Sequence, residues 1–264
     1  MPSPATLAAA SRVDVRARIP TPEPTEVHVW RASLDPGGER VQELGHIVSL
    51  EERERVDRLR SGRARRRLTL SRGILRELLA RYTGIAPERL SFHHGAGGKP
   101  SLSGEAARSR LRFNLSHSEE LLLVAIARGG LVGIDVEAIR PVPGAESLAR
   151  RFFSAREQTA IRRAPEPERT SAFLTCWTRK EACVKATGDG VWAAARRFEV
   201  TVAPDERTRV VAVDGDPKEA SRWSLFPLEP AEGYVGALAV RGRVRRIEAW
   251  ELDSRGAARR IGTA

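Results

Sequence analysis

The chain has 264 residues, 41% of them hydrophobic, enough for one sizeable core or two smaller ones. No apolar run reaches the roughly 18 residues of a membrane span, and the N-terminus lacks the charged-then-apolar layout of a secretory signal. A formal charge of +11 and a pI near 10.9 favour an anionic partner, whether nucleic acid, membrane surface, phosphorylated cofactor or acidic protein.

Residues 1–25 carry Pro2, Pro4, Pro20, Pro22 and Pro24 without a sustained period, and read as a flexible tail. Order is expected to begin with a strand around Val27 to Trp30. Ser49 followed by Glu52 suits a capping box, opening arginine-rich helices that stop at Gly84. The run from Arg53 to Arg76 supplies ten arginines, with Leu68, Leu70, Leu75, Leu78 and Leu79 as apolar anchors. Most of these cations suit a solvated face; a minority can hold phosphate in bidentate fashion.

Gly97-Gly98-Lys99-Pro100 is a loop whose glycines let backbone N–H groups approach a ligand, although Gly-Gly turns are common in plain loops. It lacks Walker spacing, so it is not an NTPase phosphate loop. In Phe113-Asn-Leu-Ser116-His117-Ser118 a short strand runs into three polar residues able to donate to an anion, or into a capped turn. No Gly-x-Ser-x-Gly elbow occurs, and His93, His94 and the two cysteines do not have zinc spacing.

Leu121–Ala127 and Leu131–Val136 flank a glycine turn, as do Tyr234–Val240 and Val244–Trp250; both pairs read as β-hairpins. Within Gly133-Ile-Asp135-Val-Glu137, side chains two apart share a face, so Asp135 and Glu137 project together. Two close carboxylates either form a solvated acidic face or hold a cation, for which hard, oxygen-seeking Mg²⁺ is suited. Ser154 and Glu157 form a second capping-box pattern, and the helices after it stop at Gly188. Glu181 and Lys185 lie one turn apart there, as a surface ion pair or as metal ligand and phosphate donor. Cys176 and Cys183, about 10 Å apart along a helix, are too distant for a disulfide, which favours a reducing cytosol.

One unit recurs. Ser49, Glu52 and Gly84 are echoed by Ser154, Glu157 and Gly188, at offsets of 105, 105 and 104 residues. Phe113-Asn-Leu115, Arg128-Gly129 and Ile134-Asp135 are echoed 113 residues later by Phe226-Pro-Leu228, Arg241-Gly242 and Ile247-Glu248. The expected architecture is α+β: a pseudo-twofold pair of helices-plus-antiparallel-sheet halves, 26–132 and 133–264, with a ligand cleft at their interface. Lysine use points to the same segments. Of 45 basic residues only Lys99, Lys180, Lys185 and Lys218 are lysine, and the first three fall inside the motifs above.

Gly-Ile-Asp-Val-Glu followed by Trp-Thr-x-Lys-Glu-Ala-x-x-Lys-x-x-Gly resembles the signature pair of the 4′-phosphopantetheinyl transferase superfamily; Gly-Lys-Pro and Asn-Leu-Ser-His-Ser match its two earlier motifs. The resemblance runs from about Val27 to Trp250 and is to the larger, monomeric Sfp-type group. It implies Mg²⁺-dependent transfer of the phosphopantetheine arm of coenzyme A to a serine of apo acyl or peptidyl carrier proteins in polyketide, non-ribosomal peptide or fatty-acid synthesis. It further implies Asp135, Glu137 and Glu181 as Mg²⁺ ligands, Glu181 as base and Lys185 as catalytic donor. Lys180 and Lys185 are placed on the pyrophosphate, and Gly98, Lys99 and Pro100 at the adenine and ribose. Ser116 and His117 are placed by the 3′-phosphate with Arg55, Arg67 and Arg72. The chain departs from the pattern at Leu59, where an aromatic is common, and at Thr178, where serine is frequent; neither alters a charged group. The competing reading, a basic nucleic-acid-binding module, rests only on net charge and the arginine run and leaves the three carboxylates unexplained.

Overall fold

A computed structural model of the chain describes residues 18–95, 97–190 and 194–263. Residues 1–17 of the expected tail lie outside these. Within the rest of it, Ile19 is buried in the first core and donates its N–H to the Arg81 carbonyl, while Pro20, Thr21, Glu23 and Pro24 are exposed.

The chain opens with β1 (Glu26–Ser33), then α1 (Gly38–Ile47), α2 (Leu50–Asp57) and α3 (Gly62–Thr83). The Gly97–Pro100 segment closes a small hairpin of β2 (Ser91–His94) and β3 (Pro100–Ser103), and three longer strands follow, β4 (Leu111–Ser118), β5 (Leu121–Arg128) and β6 (Leu131–Ala138). Next come α4 (Ala145–Phe152), α5 (Ala155–Arg163) and α6 (Arg169–Thr187), with a second short pair, β7 (Phe198–Val200) and β8 (Val210–Val213). The last strands are β9 (Trp223–Leu228), β10 (Tyr234–Arg241), β11 (Arg246–Leu252) and β12 (Ala258–Thr263).

Both capping boxes form. Ser49 and Ser154 accept from the N–H of Glu52 and Glu157, and each glutamate accepts in return from its serine's N–H. Gly84 and Gly188 end α3 and α6 at φ +71° and +78°, left-handed values that a Cβ disfavours.

The expected hairpins do not form. The long strands sort into a five-stranded sheet, β12-β11-β1-β5-β4, and a three-stranded sheet, β6-β10-β9. β5 has both edges occupied, by β1 and β4, and β10 has both occupied, by β6 and β9. Neither has an edge left for its successor. The turn at Gly129-Gly130 therefore carries the chain from one sheet to the other, and the turn at Gly242 carries it back. β11 returns to pair in parallel with β1.

Alternation along the strands builds the layers. On β5, Leu122, Val124 and Ile126 face a core shared with Leu70, Leu75, Leu78 and Leu79 of α3. Leu123, Ala125 and Ala127 face Val132, Ile134 and Val136 of β6 across the gap between the sheets. A third core joins α6 to Phe198, Leu225, Ala237 and Ala239. Helices thus cover the outer faces of two sheets that pack on each other, an α+β arrangement. With its core side spent on Val132, Ile134 and Val136, β6 turns Gly133, Asp135 and Glu137 towards α6.

Candidate active site

The two sheets meet at unpaired edges, β4 and β6, and side chains do there what a strand ladder does elsewhere. Asn114 Oδ1 accepts from the Ile134 N–H at 2.9 Å, and Ser118 Oγ accepts from the Ala138 N–H at 3.1 Å. Ser116 donates to Asp135 Oδ1 and Ser118 to Glu137 Oε2, both at 2.7 Å. The motif read as a strand running into donors is thus strand throughout. Ser116 spends its hydroxyl on Asp135 rather than presenting it to a phosphate, and Ser118, absent from the expected site, orients Glu137. The alternation Asn-x-Ser-x-Ser, three small polar side chains on one face of a strand, was the available signal.

α6 approaches this edge closely because Gly133 lacks a side chain. A Cβ there would overlap the Ala182 carbonyl and the Ala186 amide. Lys185 donates to Asp135 Oδ1 at 2.6 Å and to Ser116 Oγ at 2.8 Å. Glu181 is only 6% exposed and accepts no hydrogen bond among the described residues, and Asp135 Oδ2 is a buried oxygen without a partner. Burial, then the charge of Asp135, push the Glu181 carboxyl up to about 7, with Glu137 adding to the rise and Lys185 opposing it. Burial also raises Glu137, against the Ser118 hydrogen bond. Unmet acceptors in a dry, mutually repelling carboxylate group fit a hard divalent cation. A single ion held by all three would draw them closer than they lie here. Among the described residues, only Glu26, His28 and Glu248 bring three ligand atoms within 4.8 Å of one another.

That second cluster is already satisfied. Arg246 and Arg260 donate to Glu248, at 2.5 and 3.0 Å. Trp30 donates to the Tyr82 hydroxyl, which lies 2.7 Å from His28 Nδ1, while His28 Nε2 faces Glu248 and Glu26 at 3.5 and 3.8 Å. It joins β1 to β11 and needs no ion.

Cations gather on the other face of β4. His117 projects towards α3; partial burial and the charges of Arg67, Lys185 and Arg72 hold its pKa below the usual 6.5. Arg72 is half-buried with no hydrogen bond or ion pair among the described residues, and its pKa is lowered by burial and by Arg55 and Arg76. Arg55 lies 3.5 Å from His94 and pairs with Glu51. Arg67 pairs with Glu119 and Glu120 while its Nε is buried without a partner. Arg72, the one of these arginines without an ion pair among the described residues, crowded by its neighbours' charge, makes this face suited to an anion. A cleft of 580 Å³ opens beside the sheet junction, lined by Gly97, Lys99, Pro100, Arg112, Val132 and Gly188 among others. Gly98 shapes its rim at φ +78° without lining it. Burial and then Arg112 bring the Lys99 ammonium down to about 8.

Lys180 is not in the site. It is 2% exposed and bridges both oxygens of the fully buried Glu157 at 2.8 and 3.0 Å, and it also donates to the Phe198 carbonyl. One residue from Glu181, it leaves the helix about 100° away and points into the core. Its placement on a pyrophosphate is therefore overturned.

Two family models match the chain: "4'-phosphopantetheinyl transferase superfamily" over residues 131–239, and "4'-phosphopantetheinyl transferase, N-terminal" over residues 32–128. The chain is 40% identical over 217 residues to the 4′-phosphopantetheinyl transferase HetI of Nostoc sp., covering 82% of this chain and 88% of HetI. It is 33% identical over 179 residues to a putative 4′-phosphopantetheinyl transferase of Synechocystis sp., covering 68% of this chain and 71% of that protein. To the 4′-phosphopantetheinyl transferase psf-1 of Bacillus pumilus it is 29% identical over 189 residues, covering 71% and 78%. The chain belongs to the 4′-phosphopantetheinyl transferase superfamily, in its Sfp-type group. It is an enzyme of phosphopantetheine transfer, and the nucleic-acid-binding alternative falls away.

Proposed function

We propose that this enzyme moves the 4′-phosphopantetheine arm of coenzyme A to a serine of apo acyl or peptidyl carrier proteins, with Mg²⁺ bound, releasing adenosine 3′,5′-bisphosphate. The observation that carries the reading is the largely buried carboxylate group at the β6–α6 junction, where Asp135 Oδ2 and Glu181 accept no hydrogen bond among the described residues and Lys185 stands beside them. Asp135, Glu137 and Glu181 would hold the ion. Bound there, Mg²⁺ supplies charge neutralisation on the diphosphate.

The remaining work falls to side chains. Lys185, already at the junction, turns its ammonium to the pyrophosphate and stabilises the leaving bisphosphate. Glu181, with a carboxyl near 7 before any ion arrives, takes the proton from the serine hydroxyl, directly or through water. The serine oxygen bonds to the β-phosphorus as the bond to the bridging oxygen breaks. Arg55, Arg67, Arg72 and His117 hold the 3′-phosphate, and the Lys99–Pro100 segment faces the adenosine from the cleft. A basic rim speeds encounter with acidic carriers. The enzyme works as a monomer in the cytosol.

The test is mass spectrometry of apo carriers after incubation with enzyme, coenzyme A and Mg²⁺. A gain equal to the arm, abolished by a chelator, is expected. No gain across a panel of acyl and peptidyl carriers sinks the reading.

A further inference from the structure

The family pattern puts Lys99 at the adenosine, yet its ammonium is engaged elsewhere. Lys99 Nζ donates to the Val132 carbonyl of β6 at 2.7 Å and to the Ala186 carbonyl of α6 at 2.9 Å. Ala186 lies in the last turn of α6, where carbonyls have no partner within the helix and a cation is favoured. The lysine stem runs over Gly188, where an added Cβ would press on Lys99 Cβ and Cδ at 3.4 Å. Gly97 sits so near the end of α6 that a Cβ would overlap the Gly188 carbonyl and the Gly190 amide. The loop holding Lys99 is itself closed, by Gly98 N–H to Gly95 carbonyl at 2.8 Å and Gly95 N–H to Lys99 carbonyl at 3.2 Å.

These contacts tie a third segment, the β2–β3 loop, to the packed junction that α6 and β6 already share. Val132 is three residues before Asp135, and Ala186 is the residue after Lys185. We propose that Lys99 is a positioning residue for the transfer reaction: it clamps the end of α6 to the start of β6, and so fixes Glu181 and Lys185 opposite Asp135. The cleft and the carboxylate group are then built by one clamp, from a loop that belongs to neither element. This inference rests on the reading above for its kinetic arm only.

Hydrogen–deuterium exchange of the full chain, without substrate, reads the clamp directly. Lys99→Met should raise exchange in the last turn of α6 on the order of tenfold, since local opening there loses its tether. In the carrier assay the same variant should lower kcat on the order of tenfold or more, while KM for coenzyme A moves less than about threefold. Lys99→Arg, which keeps a cation with several donors, should recover part of both. Should Lys99→Met fail to fold, Lys99→Gln, shorter and neutral, serves in its place. A rise in KM with kcat and exchange unchanged would overturn the proposal and make Lys99 a ligand contact. If the wild-type protein transfers nothing to any carrier, the function fails while the exchange comparison still decides the clamp.

Discussion

On α6, Glu181 and Lys185 stand one turn apart, as Glu77 and Arg81 do on α3; on β6, Asp135 follows Ile134 as Glu248 follows Ile247 on β11. The surroundings then diverge. Glu77 accepts from both Arg40 and Arg81, Arg81 also donates to the Gly256 carbonyl, and Glu248 accepts from Arg246 and Arg260. Every acid there is matched. At the β6–α6 junction one lysine faces three carboxylates, and Asp135 Oδ2 and Glu181 have no donor among the described residues. Two of the differences between the regions bear on this: Arg246 stands where β6 has Gly133, and Trp250, stacked on Trp30 at 5.1 Å, where β6 has Glu137. A reactive site is thus distinguished from a structural join by what is withheld, namely donors and a Cβ, more than by the acids themselves.

The largest expected effect should be common to both regions and so sharpens the comparison. Each capping-box glutamate doubles as partner of a buried cation, Glu157 with Lys180 and Glu52 with Arg76, and both cations also bind backbone carbonyls. Lys180→Met and Arg76→Met should each lower unfolding free energy by about 3–5 kcal/mol, because an unpaired charge is stranded in the core. Urea denaturation measures it. A loss under about 1 kcal/mol in either would contradict the buried pairing drawn here.

The next effect should split the regions. Glu181→Gln is expected to cut transfer on the order of 10²-fold. Glu77→Gln, at the matched place on α3, should leave the turnover of folded protein within about threefold, since its partners are Arg40 and Arg81 and none of the residues proposed for transfer. Equal losses would erase the distinction. A smaller loss, roughly tenfold to 10²-fold in kcat, is expected for Gly133→Ala, whose added methyl pushes α6 off the strand. Unchanged kinetics would mean that the close approach is not needed for catalysis.

The last effect is in pH. In metal-free protein the Glu181 carboxyl sits near 7 against an ordinary 4.5, a raised acid. Folding then gains from its proton below about 4.5, and that gain is lost as pH rises towards 7. Unfolding midpoints of wild type should therefore fall over this window relative to Glu181→Gln, and saturating Mg²⁺ should reverse the fall. A difference that grows as pH drops would reverse the assigned sign.

Much of this was legible in the residues alone. Strand positions, both capping boxes and the glycine stops at Gly84 and Gly188 follow from local rules of hydrogen bonding and backbone freedom, which short stretches of chain carry in full. Asp135 and Glu137 share a face because strands have period two, and Glu181 and Lys185 share one because helices turn every 3.6 residues. Which strands pair was not legible. Gly129-Gly130 has the look of a hairpin turn, but pairing depends on whether β5 has a free edge, and β1, over ninety residues earlier, decides that. Lys180 shows the same limit, since a lysine beside a metal-ligand candidate reads as a phosphate donor until Glu157 is found buried against it.

Residue order alone specifies the elements, their ends and the chemical types brought to each face, because those depend on neighbours within a few residues. Which acids are neutralised and which left unmet, that Ser116 and Ser118 serve carboxylates, and that Lys99 reaches two carbonyls emerge only once remote segments meet. Those outcomes depend on desolvation and distance between remote segments, and neither is written in local order along the chain.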